Sequence, residues 1–179
     1  MATTIRIPID LTTPEQTGLA GNSFWRVTSG TTHQMGYWGF LGNTSGGSGT
    51  GLNVTGGIVY GRINIPPNVD STPNASIILV LASSATAGGL SVWRVGSKNI
   101  ATGISFDALA FTHESSLQWT APTTAWARLD KSFALTVTPV ADQILEVKVE
   151  RDTDGTNGTD NTTATIGCFD AFLQIDVTA

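Results

Sequence analysis

In the clearest segments of this chain, apolar and polar residues alternate with a period of two. Within Ile144–Arg151, Leu145, Val147 and Val149 are interleaved with Glu146, Lys148 and Glu150, giving one apolar and one charged face. Gly167–Val177 sets Phe169, Ala171, Leu173, Ile175 and Val177 on one side, and Cys168, Asp170, Phe172, Gln174 and Asp176 on the other. Residues 151–163 between them hold no apolar side chain. The pattern predicts a terminal hairpin closed by a polar loop. Arg151 keeps the parity of Leu145, Val147 and Val149, so it is expected to point inward at the rim of the core. A charge there needs a partner, and Asp152 or Asp160 can supply it. Arg151 and Asp152 are therefore read as structural residues.

The same patterning continues upstream. Ile5, Ile7 and Ile9 alternate with Arg6, Pro8 and Asp10. Pro8 cannot donate a ladder hydrogen bond, so residues 1–22 read as an edge strand or an extended N-terminal arm. Such a strand either closes its own sheet or pairs with a neighbouring subunit. Further strands are expected at Phe24–Val27, Met35–Leu41, Ile58–Ile65, Ser76–Ala82 and Leu90–Val95. Ile77–Leu81 has no alternation, which predicts a strand buried on both faces. Ile104–His113 reads as a helical turn or an irregular excursion, Leu117–Trp119 as a short strand and Trp126–Val137 as a long one. Residues 42–57 form a loop rich in Gly, Ser and Thr, a length that implies a contact at a surface or subunit boundary. About nine or ten short strands with little helix predict one all-β domain over residues 23–179. Its architecture is an antiparallel β-sandwich, jelly-roll-like.

Composition narrows the function more than the fold. Charged residues make up 13% of the chain, about half the usual ~25%. The net charge is −5, and the basic residues form no run, which argues against a nucleic-acid partner. No run approaches the ~18–20 apolar residues of a membrane helix. The N-terminus lacks the apolar core of a signal peptide, so synthesis in a cytoplasm and a soluble product are expected. Cys168 is the sole cysteine and reads as a small packed side chain.

Catalytic signatures are missing. His33 and His113 lie in no metal-binding pattern, and no nucleophile elbow is present. No catalytic residue and no cofactor is assigned, and the chain is expected not to be an enzyme. Asp152, Asp154, Asn157 and Asp160 are oxygen donors on a glycine-containing loop and form a weak calcium candidate. Counted from Asp152, however, Asn157 stands where the calcium loop of helix–loop–helix proteins requires glycine, and Thr163 where it requires glutamate. Polar turn residues explain the same letters. Tyr37 and Trp38 belong to an aromatic segment that reads as core, or as a sugar-stacking platform if exposed. With Ile5, Ile7 and Ile9 they are candidate interface residues.

From about Val59 onward the chain resembles small all-β proteins encoded among the virion genes of tailed bacteriophages. The pieces that carry this are the strand ending Ile65-Pro66-Pro67, Ile77–Leu81, the small-residue turn Ala85–Gly89 before Val92-Trp93-Arg94-Val95, and Leu145–Asp152. An acidic loop and Ile166–Val177 complete the set. The resemblance implies a jelly-roll-like capsid decoration (cement) protein, bound as a homo-oligomer to the major capsid protein on the virion exterior. The alternative is a receptor- or carbohydrate-binding module of a tail fibre.

Overall fold

The computed structural model describes residues 2–14, 23–27, 36–40, 57–70, 75–86, 88–105, 110–113, 116–153 and 157–178, with the side chains of 13–14, 23–27 and 113 left aside. Twelve strands occupy these residues, and no helix among them is long and apolar enough to cross a membrane. The strands are β1 (Ala2–Pro8), β2 (Asp10–Pro14), β3 (Ser23–Val27), β4 (Gly36–Phe40), β5 (Ile58–Asn64) and β6 (Ser76–Ser83). Then come β7 (Leu90–Ile100), β8 (Thr112–His113), β9 (Leu117–Thr120), β10 (Leu129–Ala134), β11 (Ile144–Arg151) and β12 (Ile166–Thr178).

Two antiparallel sheets face each other. One, here sheet A, runs β10-β6-β12-β4-β3, and β1 shares with β4 the remaining edge of β12. The other, sheet B, runs β2-β5-β11-β7-β8, with β9 beside β8 on β7. The ten strands of the two continuous paths match the number expected, and β1 and β9 are additions along an edge. Every connection changes sheet except β3–β4, β7–β8 and β8–β9, the alternation of a jelly-roll-like sandwich. Between the layers, Ile77, Leu79, Leu81, Phe133, Leu173 and Ile175 of sheet A meet Val59, Trp93, Val95, Leu145, Val147 and Val149 of sheet B.

The terminal hairpin is not formed. β11 has both edges occupied, by β5 and β7, and β12 is held by β6 on one side and by β4 and β1 on the other. The polar stretch after Arg151 therefore crosses from one sheet to the other. The face assignment of β12 also changes part-way. Its register against β6 shifts between Cys168 and Asp170, so Ile166 and Cys168 face the core before the bulge, and Ala171, Leu173 and Ile175 after it. Phe169 is thrown onto the outer face. β10 is shorter than expected because Trp126 has a positive φ of 61° and ends the extended backbone there. β6 is buried on both faces as its sequence predicts.

Residues 2–14 do not reach away as an arm. β1 lies antiparallel on β12, from Ala2 opposite Thr178 to Pro8 opposite Phe172. Ile9 then enters the core and its amide donates to the Ala171 carbonyl at 2.8 Å. β2 crosses to β5 in sheet B. The five interface candidates consequently have intramolecular roles. Ile9 and Tyr37 are buried, Ile5 and Ile7 pack against the core, and Trp38 donates through Nε1 to the Leu11 carbonyl at 2.6 Å. The loop expected at 42–57 lies outside the described residues apart from Gly57.

Where the N-terminal segment crosses β5 the fit is tight. A Cβ on Gly61 would stand 2.7 Å from Ile9 Cγ2 and 2.8 Å from both the Asp10 carbonyl oxygen and Leu11 Cδ2. Gly61→Ala must push β2 off β5 and is expected to cost about 1–3 kcal/mol, as overpacking does. Urea unfolding should show a lower midpoint with the slope unchanged. An unaltered midpoint would mean that β2 is not held there.

Candidate functional site

Arg151 ends β11 with its side chain fully buried, and the carboxylate that meets it is that of Asp160, also fully buried. Nε donates to Asp160 Oδ2 at 2.9 Å and Nη2 to Oδ1 at 2.8 Å. Nη2 also donates to the Thr162 carbonyl at 2.9 Å, and Nη1 to the carbonyls of Ala164 at 2.8 Å and Phe40 at 3.2 Å. A guanidinium has five N–H bonds, and the five acceptors occupy them all. Asp160 Oδ2 further accepts from the Val92 amide at 3.1 Å and the Ser91 hydroxyl at 3.3 Å, and Ser91 Oγ accepts from Trp93 Nε1 at 2.9 Å. The crossover after β11 is thus sewn to β7 and to the end of β4.

In that geometry three of the four calcium candidates have protein partners. Asp160 is turned inward on Arg151, and Asn157 donates through Nδ2 to Asp152 Oδ2. Asp154 lies outside the described residues. Asp152 anchors the start of the crossover instead, its amide donating to the Val92 carbonyl at 2.9 Å. Among the described residues no group of three His, Cys, Asp or Glu side chains is placed to share a metal ion. His33 is outside them, and of His113 only the backbone position on β8 is described.

The outer face of sheet B carries a row of charges. Glu146 on β11 stands opposite Arg62 of β5 and Lys98 of β7, with contacts of 2.8 Å and 2.9 Å. Lys148 and Glu150 pair at 2.9 Å. Opposite charges on adjacent strands support a sheet by about 0.2–1 kcal/mol per pair. Phe111 covers part of this row, with Lys98 Nζ 4.4 Å from its ring centre and the Tyr60 ring 5.6 Å away.

The outer face of sheet A is aromatic. Tyr37 stacks on Phe169 at 5.1 Å, and Trp126 meets Tyr37 edge-on at 5.3 Å and Phe169 at 6.2 Å. Gly167 makes the room, since a Cβ there would stand 2.7 Å from the Tyr37 ring. Trp126 remains 37% exposed, whereas Trp93 and Trp119 are buried and Trp38 is half-buried. The side chain of Trp25 is not described. Next along the chain, Arg128 and Asp130 form an exposed two-point pair, both contacts 2.7 Å. Asp130 holds the Arg128 guanidinium above its ordinary pKa, and Arg128 in turn holds the Asp130 carboxyl below its own. Sequence reasoning placed Trp126 inside a strand and so missed its exposure. Only its adjacency to β4 and β12, which no local pattern encodes, marks it out.

Removing one partner of a buried ion pair costs about 3–5 kcal/mol. Arg151→Met is expected to do so in denaturant unfolding and to open residues 152–165 to protease. The double variant Arg151→Met/Asp160→Leu should recover only part of the loss, because the carbonyls of Phe40, Thr162 and Ala164 still lose their donors. Full recovery would show that the carboxylate alone needed the guanidinium. Cys168 offers an independent probe: burial, then the charge of Asp170, push its thiol pKa up to about 12. At neutral pH it should react with a thiol reagent only on unfolding; prompt labelling of the native chain would contradict the packing.

No protein-family model matches the chain, and no curated protein sequence matches it. Solved structures do. The arabinose-bound α-L-arabinofuranosidase MgGH51 is similar over 90% of this chain and 25% of its own, at 16% identity and a TM-score of 0.39. This chain therefore corresponds to about a quarter of that enzyme. CtCBM11, a carbohydrate-binding module studied in solution, is similar over 97% of this chain and 96% of its own, at 12% identity and a TM-score of 0.40.

Proposed function

We propose that the chain is a non-enzymatic virion structural protein, a decoration (cement) protein that binds the major capsid protein on the outside of a phage head and stabilises it. The starting point is the resemblance of residues from about 59 onward to small virion proteins of tailed phages. One structural observation supports it. Each charged side chain buried among the described residues, namely Lys98, Glu146, Glu150, Arg151, Asp152 and Asp160, is engaged by a partner on its own strand, on a neighbouring strand or in the crossover. Buried charges spent in this way make a rigid body rather than a reaction centre, and rigidity is what a clamp on a shell requires.

Attachment then falls to surfaces and edges. β1 lies at the margin of sheet A, and no strand among the described residues pairs with its outer edge. A free edge presents a row of backbone donors and acceptors to which a strand from a neighbouring protein can be added. In this reading the protomers form a symmetric homo-oligomer.

The deciding experiment mixes purified protein with undecorated capsids and follows binding by sedimentation and electron microscopy. The expected result is saturable occupancy at symmetry-related positions, with a rise in capsid disruption temperature that grows with free protein concentration, as linkage requires. Absence of binding together with adhesion to host cells would move the protein to the tail-fibre, receptor-binding class.

A further inference from the structure

We propose that Trp126, held in place by Tyr37 and Phe169, forms with the neighbouring Arg128–Asp130 pair a binding site for a neutral oligosaccharide on the outer face of sheet A. The site does not depend on the capsid reading.

Three independent features lead there. The first is a fixed aromatic platform. Trp126 is exposed, yet two aromatic rings hold it edge-on, so its orientation is set before any ligand arrives. Large rigid rings supply contact area with little entropy to lose. The second is the backbone. Trp126 has a φ of 61°, a conformation bulky residues rarely adopt and one that clusters at binding sites. Its amide donates to the Ser83 carbonyl at 2.8 Å, which ties the strained residue to the end of β6. The third is the polar rim. Arg128 and Asp130 are locked to each other by two contacts of 2.7 Å, and Asp130 and Asp170 flank Val80 in adjacent strands.

The chemistry of the rim selects the ligand. Carboxylate oxygens only accept hydrogen bonds and a guanidinium only donates them, so a fixed pair presents both to the neighbouring hydroxyls of a sugar ring. The charges are balanced. Arg128 and Arg6 both act on Asp130, and Asp170 acts on Arg128. Two cations against two carboxylates leave no excess positive charge to favour a phosphate or sulfate. The apolar face of a pyranose can stack on the indole while its hydroxyls reach the rim. One exposed indole is also far less apolar area than a stable protein interface buries, which favours a small ligand over a protein.

The test screens wild-type protein on an array of neutral and anionic oligosaccharides, then titrates the strongest neutral binder by calorimetry and tryptophan fluorescence. Trp126→Gly removes the ring and relieves the backbone, since glycine adopts a positive φ without strain. It should weaken binding about tenfold or more, comparable to losing one stacking ring under a nucleobase. Arg128→Ala is a surface change that leaves the aromatic cluster intact, and it should weaken the same titration several-fold. Capsid attachment, assayed in parallel, should be unchanged by both substitutions. Failure to bind any neutral oligosaccharide at millimolar concentration overturns the proposal, as does selective binding of anionic ones or binding unaffected by both variants. A failure of capsid attachment in the wild type bears only on the decoration reading.

Discussion

A buried guanidinium must fill its N–H bonds or leave the core. Arg151 fills all five, and the acceptors come from two places: the end of β4, 111 residues away in the chain, and the crossover that follows Arg151, which supplies the Asp160 carboxylate and the carbonyls of Thr162 and Ala164. Meeting that one demand brings the two sheets together at their rim and fixes the path of the crossover. It also explains why a stretch without apolar side chains is ordered where it is described. Its Asp, Asn and Thr residues do the work that buried hydrophobics do elsewhere. Asn161, for example, accepts from the Leu90 amide at 2.6 Å and donates its own amide to the Leu90 carbonyl at 2.9 Å.

The two outer faces of the sandwich differ in kind. On sheet B a cross-strand ladder of charges, Arg62–Glu146–Lys98, lies partly beneath Phe111. On sheet A the interior strand β6 buries Ile78, Val80 and Ala82 on the side away from the core, and an aromatic cluster rises beside it. A sheet facing water on one side ordinarily shows polar residues there. The two faces therefore offer different chemistry to the surroundings, one ionic and internally satisfied, the other aromatic and partly open.

Much of this was legible in the sequence, and the limits have physical causes. Alternation found β5 and β11 almost to the residue, because each is an uninterrupted strand with one face on the core. The unbroken apolar run of β6 announced burial on both sides. Parity sent Arg151 inward, and the need for charge compensation named Asp160 as one of two partners. Pairing was another matter. β11 and β12 look like a hairpin because they are consecutive and clearly patterned, but strand partners are chosen by topology, and both edges of β11 were already claimed by strands far away in the chain. The bulge at Cys168–Asp170 defeated the face assignment of Phe169, since one extra residue exchanges the sides of everything before it. Trp126 was hidden by its own backbone, whose positive φ breaks the strand that the pattern suggested.

The pairing of Ala2 with Thr178 has a consequence for how the molecule forms. Sheet A cannot close until β12 has been synthesised, and the Arg151–Phe40 contact spans 111 residues of chain. Such non-local contacts are reached slowly, because the loops that join them must lose their freedom first. The β1–β12 seam and the Arg151–Phe40 bond thus tie completion of the sandwich to the closure of long loops, so its topology, more than any local propensity, sets the pace of assembly.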